Sequence, residues 1–189
     1  DRLLASLYLW TDKDGPKNVY WGWETDAEGN GIAGHSLGHY MSACVNMYMQ
    51  TGNEEFKNRV DYMVDMMAKV QDDDGFLGGF KRELLDYVFN NPDTFPVGAF
   101  DLNSIWVPWY SLHKIYAGLL DAYTYLGNEQ ALDVMIGLAD YAKAGTDKLN
   151  DEQMQRMLSC EHGGVNESFA QLYEITGEKK YLDLAKRFC

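Results

Sequence analysis

Ser36-Leu37-Gly38-His39-Tyr40-Met41-Ser42-Ala43-Cys44-Val45-Asn46-Met47-Tyr48-Met49-Gln50-Thr51-Gly52-Asn53 decides the fold. The stretch is long enough for several helical turns and contains no Asp, Glu, Lys or Arg. A helix without charge on any side is one surrounded by protein. Gly52 suits the left-handed position that closes a helix, and Asn53 suits the start of the next. Beyond the turn, Phe56, Val60, Met63, Val64 and Met67 fall at helical spacing on one face. Glu55, Lys57, Arg59, Asp61, Asp65 and Lys69 occupy the rest. A buried helix is therefore joined by a tight turn to an antiparallel partner with one wet face.

The same unit recurs. Leu126-Gly127-Asn128 and Thr176-Gly177-Glu178 repeat the turn of Thr51-Gly52-Asn53. The arm before the second turn, from Pro108 to Leu126, carries only Lys114 and Asp121; the arm before the third, from Val165 to Thr176, carries only Glu167 and Glu174. After the second turn, Ala131, Met135, Leu138, Ala139 and Ala142 make a single apolar stripe. The spacing predicts seven substantial helices, over about 1–10, 35–51, 54–73, 108–126, 128–144, 165–176 and 178–189. Long connections run roughly over 11–34, 72–107 and 145–164, all at the end opposite the short turns. Short helices are expected within them at 81–89 and 151–158. Inner helices alternating with outer ones, with the long loops on one rim, describe an all-α fold. It is an α/α toroid built from antiparallel hairpins. A flat helical solenoid shares part of the pattern, but its connections are short at both ends.

Composition narrows the function. The chain has 189 residues, 46% of them hydrophobic and 24% charged, which is globular. Lys and Arg number 16 against 29 Asp and Glu, a net charge of -13. Such a chain is a poor binder of nucleic-acid phosphates, and neither nucleic acid nor membrane is expected as a partner. No uncharged apolar run of about 18 residues is present to span a bilayer. No signal peptide opens the sequence, but its first residue is Asp1 rather than Met, so a leader could already have been removed and the compartment stays open between cytoplasm and export. Cys44, Cys160 and Cys189 are too few and too scattered for a disulfide framework. They read as a buried apolar Cys44 and two free thiols. The methionines at 41, 47, 49, 63, 66 and 67 read as core.

The long-loop rim gathers chemistry. All four histidines lie there, with Trp21, Trp23, Trp106 and Trp109, while the short-turn end has neither residue type. Aromatic rings can cover the apolar faces of pyranose or furanose units, and carboxylates, amides and imidazoles bind their hydroxyls. His35 and His39, four apart at a helix start, share a face. Their spacing serves a metal, hydrogen bonding in a cleft, or packing, but no Glu follows His35 as a zinc H-E-x-x-H motif requires. His113 reads as either a core histidine or a cleft contact. Glu24 follows Tyr20-Trp21-Gly22-Trp23 and is either an exposed loop residue or a carboxyl raised by partial dehydration. Glu161-His162-Gly163-Gly164 leads into Val165-Asn166-Glu167, where Asn166 reads as an N-cap or a site residue.

Taken in order, these segments resemble a known family. Gly22-Trp23-Glu24, Gly34-His35-Ser36-Leu37-Gly38-His39-Tyr40-Met41, Val107-Pro108-Trp109-Tyr110-Ser111-Leu112-His113-Lys114 and Glu161-His162-Gly163-Gly164-Val165-Asn166-Glu167 carry the likeness. They resemble the bacterial β-L-arabinofuranosidase group, glycoside hydrolase families 127 and 146, over nearly the whole chain. The resemblance implies part of an (α/α)6 barrel and retaining hydrolysis of β-L-arabinofuranosides in plant-type glycans. It also implies a zinc-held cysteine nucleophile and a glutamate acid/base. The segments that supply the zinc ligands resemble Glu-Thr-Cys and Cys-Cys, and this chain contains neither. The acid/base glutamate also lies downstream of the matched motifs. No catalytic residue and no metal ligand is therefore assigned here.

What carries over is one wall of a glycan cleft: Trp23, Glu24, His35, His39, Tyr110, His113, Glu161, His162 and Asn166. The reading expects residues 1–189 to be the N-terminal portion of a single catalytic domain. Such a portion should be inactive alone, without zinc, and self-associating across its open edges. Competing readings are another α/α carbohydrate enzyme (an unsaturated-uronide hydrolase, a lyase or an epimerase) and a non-catalytic helical-repeat binding module.

Overall fold

The computed structural model describes residues 32–189 apart from residue 163. The helix expected over 1–10, and the candidate residues Trp23 and Glu24, lie outside the described residues. The elements run α1 (His35–Thr51), α2 (Glu54–Val70), α3 (Arg82–Asn90), β1 (Val97–Gly98), β2 (Asp101–Leu102), β3 (Ile105–Trp106), α4 (Pro108–Leu126), α5 (Glu129–Thr146), α6 (Asp151–Leu158), α7 (Val165–Thr176) and α8 (Lys179–Arg187).

The three turns form as their residues dictate. Gly52, Gly127 and Gly177 take φ values of 65°, 66° and 72°, the left-handed region that side chains with a Cβ resist. Asn53 then accepts the Glu55 amide and Asn128 accepts the Ala131 amide through their side chains. Glu178 makes no side-chain cap; instead its amide donates to the Thr176 hydroxyl at 3.2 Å. Three helical hairpins result, α1–α2, α4–α5 and α7–α8.

α4 is the centre of the arc. It packs against α1 on one side, α7 on the other and α5 behind. The approach of α1 to α4 depends on Gly38: a Cβ there would lie 1.9 Å from the Lys114 carbonyl oxygen. Toward the α7–α8 hairpin the contact is aromatic. Tyr116 meets the Phe169 ring at 5.1 Å, and Trp109 meets Phe188 at 4.7 Å, both edge-on. All four rings are buried. The outer helices are tied to one another by polar bonds: Asn128 donates to Asp61 at 2.8 Å and Tyr181 donates to Asp140 at 3.0 Å. This is an arc of an α/α toroid, as the alternation of helices predicts.

Four features differ from the expectation. α2 ends at Val70 rather than residue 73, because the Gln71 amide group bonds the Gly75 and Val134 carbonyls and turns the chain toward α5. The second long connection contains a three-stranded antiparallel ribbon, β1-β2-β3, whose two-residue strands are too short to leave a periodic signal. Met47 and Met49 are 40% and 57% exposed rather than core, since α1 has a face with no described neighbour. Asn166 does not cap α7: it lies inside the helix, Gly164 holds the N-cap position, and its side chain instead reaches the Cys189 sulfur. The expected short helices are present as α3 and α6. α6 is held by a reciprocal capping box in which Asn150 accepts the Gln153 amide and Gln153 accepts the Asn150 amide.

Arg82 organises the second long connection. Its guanidinium bonds Asp72, Asp74 and Asp86 and lies over the rings of Phe76 and Tyr141. Asp72 is buried, so this network fixes the loop after α2 onto α3 and α5.

Candidate functional site

The start of α1 and the first turns of α4 converge at the long-loop rim. His35 opens α1, and its ring lies 6.0 Å from His39, one turn on, and 5.7 Å from Tyr110 on α4. The Lys114 ammonium stands 4.9 Å above the Tyr110 ring. The same ammonium lies 3.4 Å from His113 Nδ1. An ammonium has only donors, so Nδ1 accepts and the His113 proton resides on Nε2. A side chain at Gly164 would come within 3.0 Å of the His113 ring, which places the start of α7 directly against it.

His113 is held neutral. Burial and the Lys114 charge push its pKa down, with His39 adding to the effect and Glu167 opposing it. These influences place His39, His113, Lys114 and Glu167 in one electrostatic neighbourhood. A neutral imidazole beside an ammonium, with a second imidazole and a phenol nearby, offers donors and acceptors in the spacing that sugar hydroxyls need.

Glu161 occupies a different part of the same rim. Its two carboxylate oxygens accept the backbone amides of Trp109 at 2.7 Å and Tyr110 at 3.1 Å. α4 lacks a side-chain cap of its own: Val107 holds the N-cap position with φ 44°, and Pro108 follows at the first helical position. Glu161 therefore caps α4 from 52 residues downstream. It meets the positive end of the helix there. Burial nevertheless pushes its carboxyl up to about 7, against the pull of the two amide donors. His162, the next residue, is exposed.

The structure thus brings His35, His39, Tyr110 and His113 together, sets Glu161 on the first amides of α4, and places His162 and Asn166 on the neighbouring loop and helix. Lys114 and Glu167, which lie inside the family-like segments but are not among the candidate cleft residues, join the group. A lysine following a histidine on a helix whose one other charged residue is Asp121 is the signal that could have found the first. The capping role of Glu161 was legible only in the pairing of a β-branched residue and proline at a helix start, which leaves the amides without a local acceptor.

Among the described residues, no three His, Cys, Asp or Glu side chains gather as a metal would require. The donor set here therefore does not fit a zinc centre. The thiols add nothing to it: burial raises the Cys44 pKa and pushes Cys160 up to about 12.

Comparison with known proteins agrees with the helical fold. The family model for the GH127 catalytic domain of β-L-arabinofuranosidase matches residues 1–189. A solved GH127 β-L-arabinofuranosidase from Geobacillus stearothermophilus T6 is 17% identical with a TM-score of 0.59; the match covers 83% of this chain and 23% of that one. A second solved GH127 β-arabinofuranosidase is 18% identical with a TM-score of 0.63, over 86% of this chain and 25% of that one. The chain thus spans about a quarter of the length of the structures it matches. No curated protein sequence matches it.

Proposed function

The chain belongs to the GH127 β-L-arabinofuranosidase catalytic-domain family, and from that premise we propose that it forms the saccharide-gripping wall of a glycosidase. Its substrate is a β-L-arabinofuranosyl unit of a plant-type glycan. The single observation that carries the reading is the convergence of His35, His39, Tyr110 and His113 at the long-loop rim. His113 offers an Nε2–H donor, and His39 and Tyr110 supply further hydrogen-bonding capacity around one furanose ring. Lys114 orders this group by fixing the His113 tautomer and covering the Tyr110 face.

Bond cleavage is assigned to residues outside this chain. Retaining hydrolysis by a zinc-held cysteine and a glutamate acid/base is the chemistry expected of the family. Here Cys44 and Cys160 are buried with raised pKa values, which leaves the thiolate nucleophile unavailable from either. Glu161 is engaged in capping α4. The 189 residues form the N-terminal portion of one catalytic domain, bind saccharide, need no zinc to fold, and do not hydrolyse it alone.

The chain also self-associates. Ala43, Asn46, Met47 and Gln50 line an exposed, uncharged face of α1, an inner helix whose sequence is built for burial. A second copy, or the remaining helices of a closed ring, would cover it.

The direct test is release of L-arabinose from a β-L-arabinofuranosyl oligosaccharide by the complete protein that carries this chain. Release with retention of configuration supports the reading. Activity only on unsaturated uronides would replace it with a different α/α carbohydrate enzyme.

A further inference from the structure

The ribbon before α4 carries two large aromatic rings in the open. Phe100 is 63% exposed and Trp106 is 51% exposed. Asp101 pairs with Trp106 across β2 and β3, and residues directly opposite in an antiparallel ladder point to one face. Asp101 and Trp106 are both exposed, while Leu102 and Ile105 are fully buried on the other face. The indole therefore stands beside a carboxylate.

This ribbon is rigid rather than a loose loop. The Phe100 amide donates to the Cys160 carbonyl at 3.0 Å, and its own carbonyl accepts the Val107 amide at 3.4 Å. Asn103 donates through its backbone to Pro96 and through its side chain to the Leu84 carbonyl at 2.7 Å. Two positions are held against their preference. Phe100 takes φ 61° and Val107 takes φ 44°, the left-handed region that bulky and β-branched residues avoid. Strain of this kind costs about 1–3 kcal/mol per residue and persists where the surroundings impose it. Asn103 and Ser104 also have positive φ, but they fit the two-residue hairpin turn that requires it.

The ribbon is continuous with the histidine cluster. Trp106 and Val107 lead directly into Pro108, Trp109 and Tyr110, and Glu161 binds the amides of the last two. Cys160, which holds Phe100, is the residue before Glu161. The ribbon and the cluster thus share the loop over 160–164, which holds Phe100 at Cys160 and abuts the His113 ring at Gly164.

We propose that Trp106, flanked by Phe100 and Asp101, is a second saccharide subsite of the cleft, stacking a sugar ring beyond the one bound by His39 and His113. The indole covers the apolar face of that ring, and the Asp101 carboxylate accepts its hydroxyl protons. This rests on the reading of the rim as an arabinofuranoside cleft, and it assigns that cleft a preference for oligosaccharides over single-ring glycosides.

The test titrates the 189-residue chain by calorimetry with methyl β-L-arabinofuranoside and with a β-L-arabinofuranosyl trisaccharide. Trp106→Ala is expected to weaken the trisaccharide about tenfold, the size of an aromatic stacking contact, and to leave the single ring unchanged. Asp101→Asn should weaken the trisaccharide by a smaller factor, with the fold intact by circular dichroism. Equal affinity of Trp106→Ala and the parent chain for the trisaccharide overturns the proposal. So does equal weakening for both ligands, or conversion of an oligomer to a monomer by Trp106→Ala in sedimentation, which makes the ring a protein contact. If the parent chain binds neither ligand, it is the assignment of the cleft itself that fails.

Discussion

The Glu161 carboxylate accepts the Trp109 amide at 2.7 Å, so the loop before α7 closes the N-terminal end of the central helix. Two consequences follow, one for stability and one for pH. Removing the acceptor in Glu161→Ala leaves two amides of α4 unpaired and should cost about 1–2 kcal/mol, read as a lower urea midpoint. Glu161→Gln keeps one acceptor and should cost less.

The pH effect of the same residue has a definite sign. Its carboxyl is raised from 4.5 to about 7 in the folded chain, so the folded state holds the proton more tightly than the unfolded state. The associated stability is present below pH 4.5 and is lost as pH rises through about 7. Glu161→Gln should flatten this slope, so the gap between variant and parent narrows on going from acidic to neutral pH. A gap that widens instead would show that the two amide donors outweigh burial.

Gly38 tests the helix crossing that forms the arc. A Cβ there would lie 1.9 Å from the Lys114 carbonyl oxygen, which is backbone and cannot swing aside. Gly38→Ala should destabilise the chain by about 3 kcal/mol, the upper range for overpacking. Gly52→Ala, at an open turn with φ 65°, should cost only about 1 kcal/mol. Equal midpoints for the two would mean that α1 and α4 are not in close contact.

Arg82 should be the most sensitive charged position. Arg82→Met strips partners from Asp72, Asp74 and Asp86 together, and Asp72 is only 4% exposed. The loss should be about 3 kcal/mol, below that of a fully buried pair because Asp74 and Asp86 still reach water. Arg82→Lys should recover little of it, since one ammonium cannot fork to three carboxylates.

His113 should titrate low. Burial and Lys114 depress its pKa below 6.5, so the stability tied to its neutral form is present above 6.5 and is lost as pH falls through the lowered value. Lys114→Met should raise that pKa, followed by imidazole NMR. In the complete enzyme, His39→Ala and His113→Ala should each lower turnover with little change in melting temperature. Parent-like kinetics in both would make these histidines structural only.

Much of the arc was legible in the chain because its signals are local and repeated. The uncharged run from Ser36 to Thr51 marks an inner helix, and the Gly-Asn turns at 52–53 and 127–128 mark its reversals, each set by one residue's own conformational preference. α6 follows from Asn150 and Gln153, three residues apart. What was not legible depends on distant partners. Val107-Pro108 shows that the first amides of α4 lack a local acceptor, but not that Glu161, 52 residues on, supplies it. The ribbon over 97–106 escapes because its strands are two residues long and its shape comes from contacts to Leu84 and Cys160. Met47 and Met49 are exposed despite their apolar surroundings in sequence, because an apolar sequence reports that a face is suited to burial, not that a neighbour covers it. Of the site, the histidines declare themselves by clustering, whereas Lys114 matters through its spatial relation to His113 Nδ1 and the Tyr110 ring.

Exposure on α1 has its own test. Light scattering of the 189-residue chain at micromolar concentration should give a mass above that of a monomer, and Met47→Glu together with Met49→Lys should reduce it. A monodisperse monomer in the parent chain contradicts self-association.

Saccharide binding at the rim where α1, α4 and α7 meet is the property on which every assignment here depends. Imidazole and backbone NMR of the chain titrated with methyl β-L-arabinofuranoside reads this directly. The expected result is shifts at His35, His39, Tyr110, His113 and Lys114, with Gly52, Gly127 and Gly177 at the opposite end unmoved. Saturable binding whose shifts fall at those turn glycines, or on the outer helices, with the histidine signals unchanged, would contradict it.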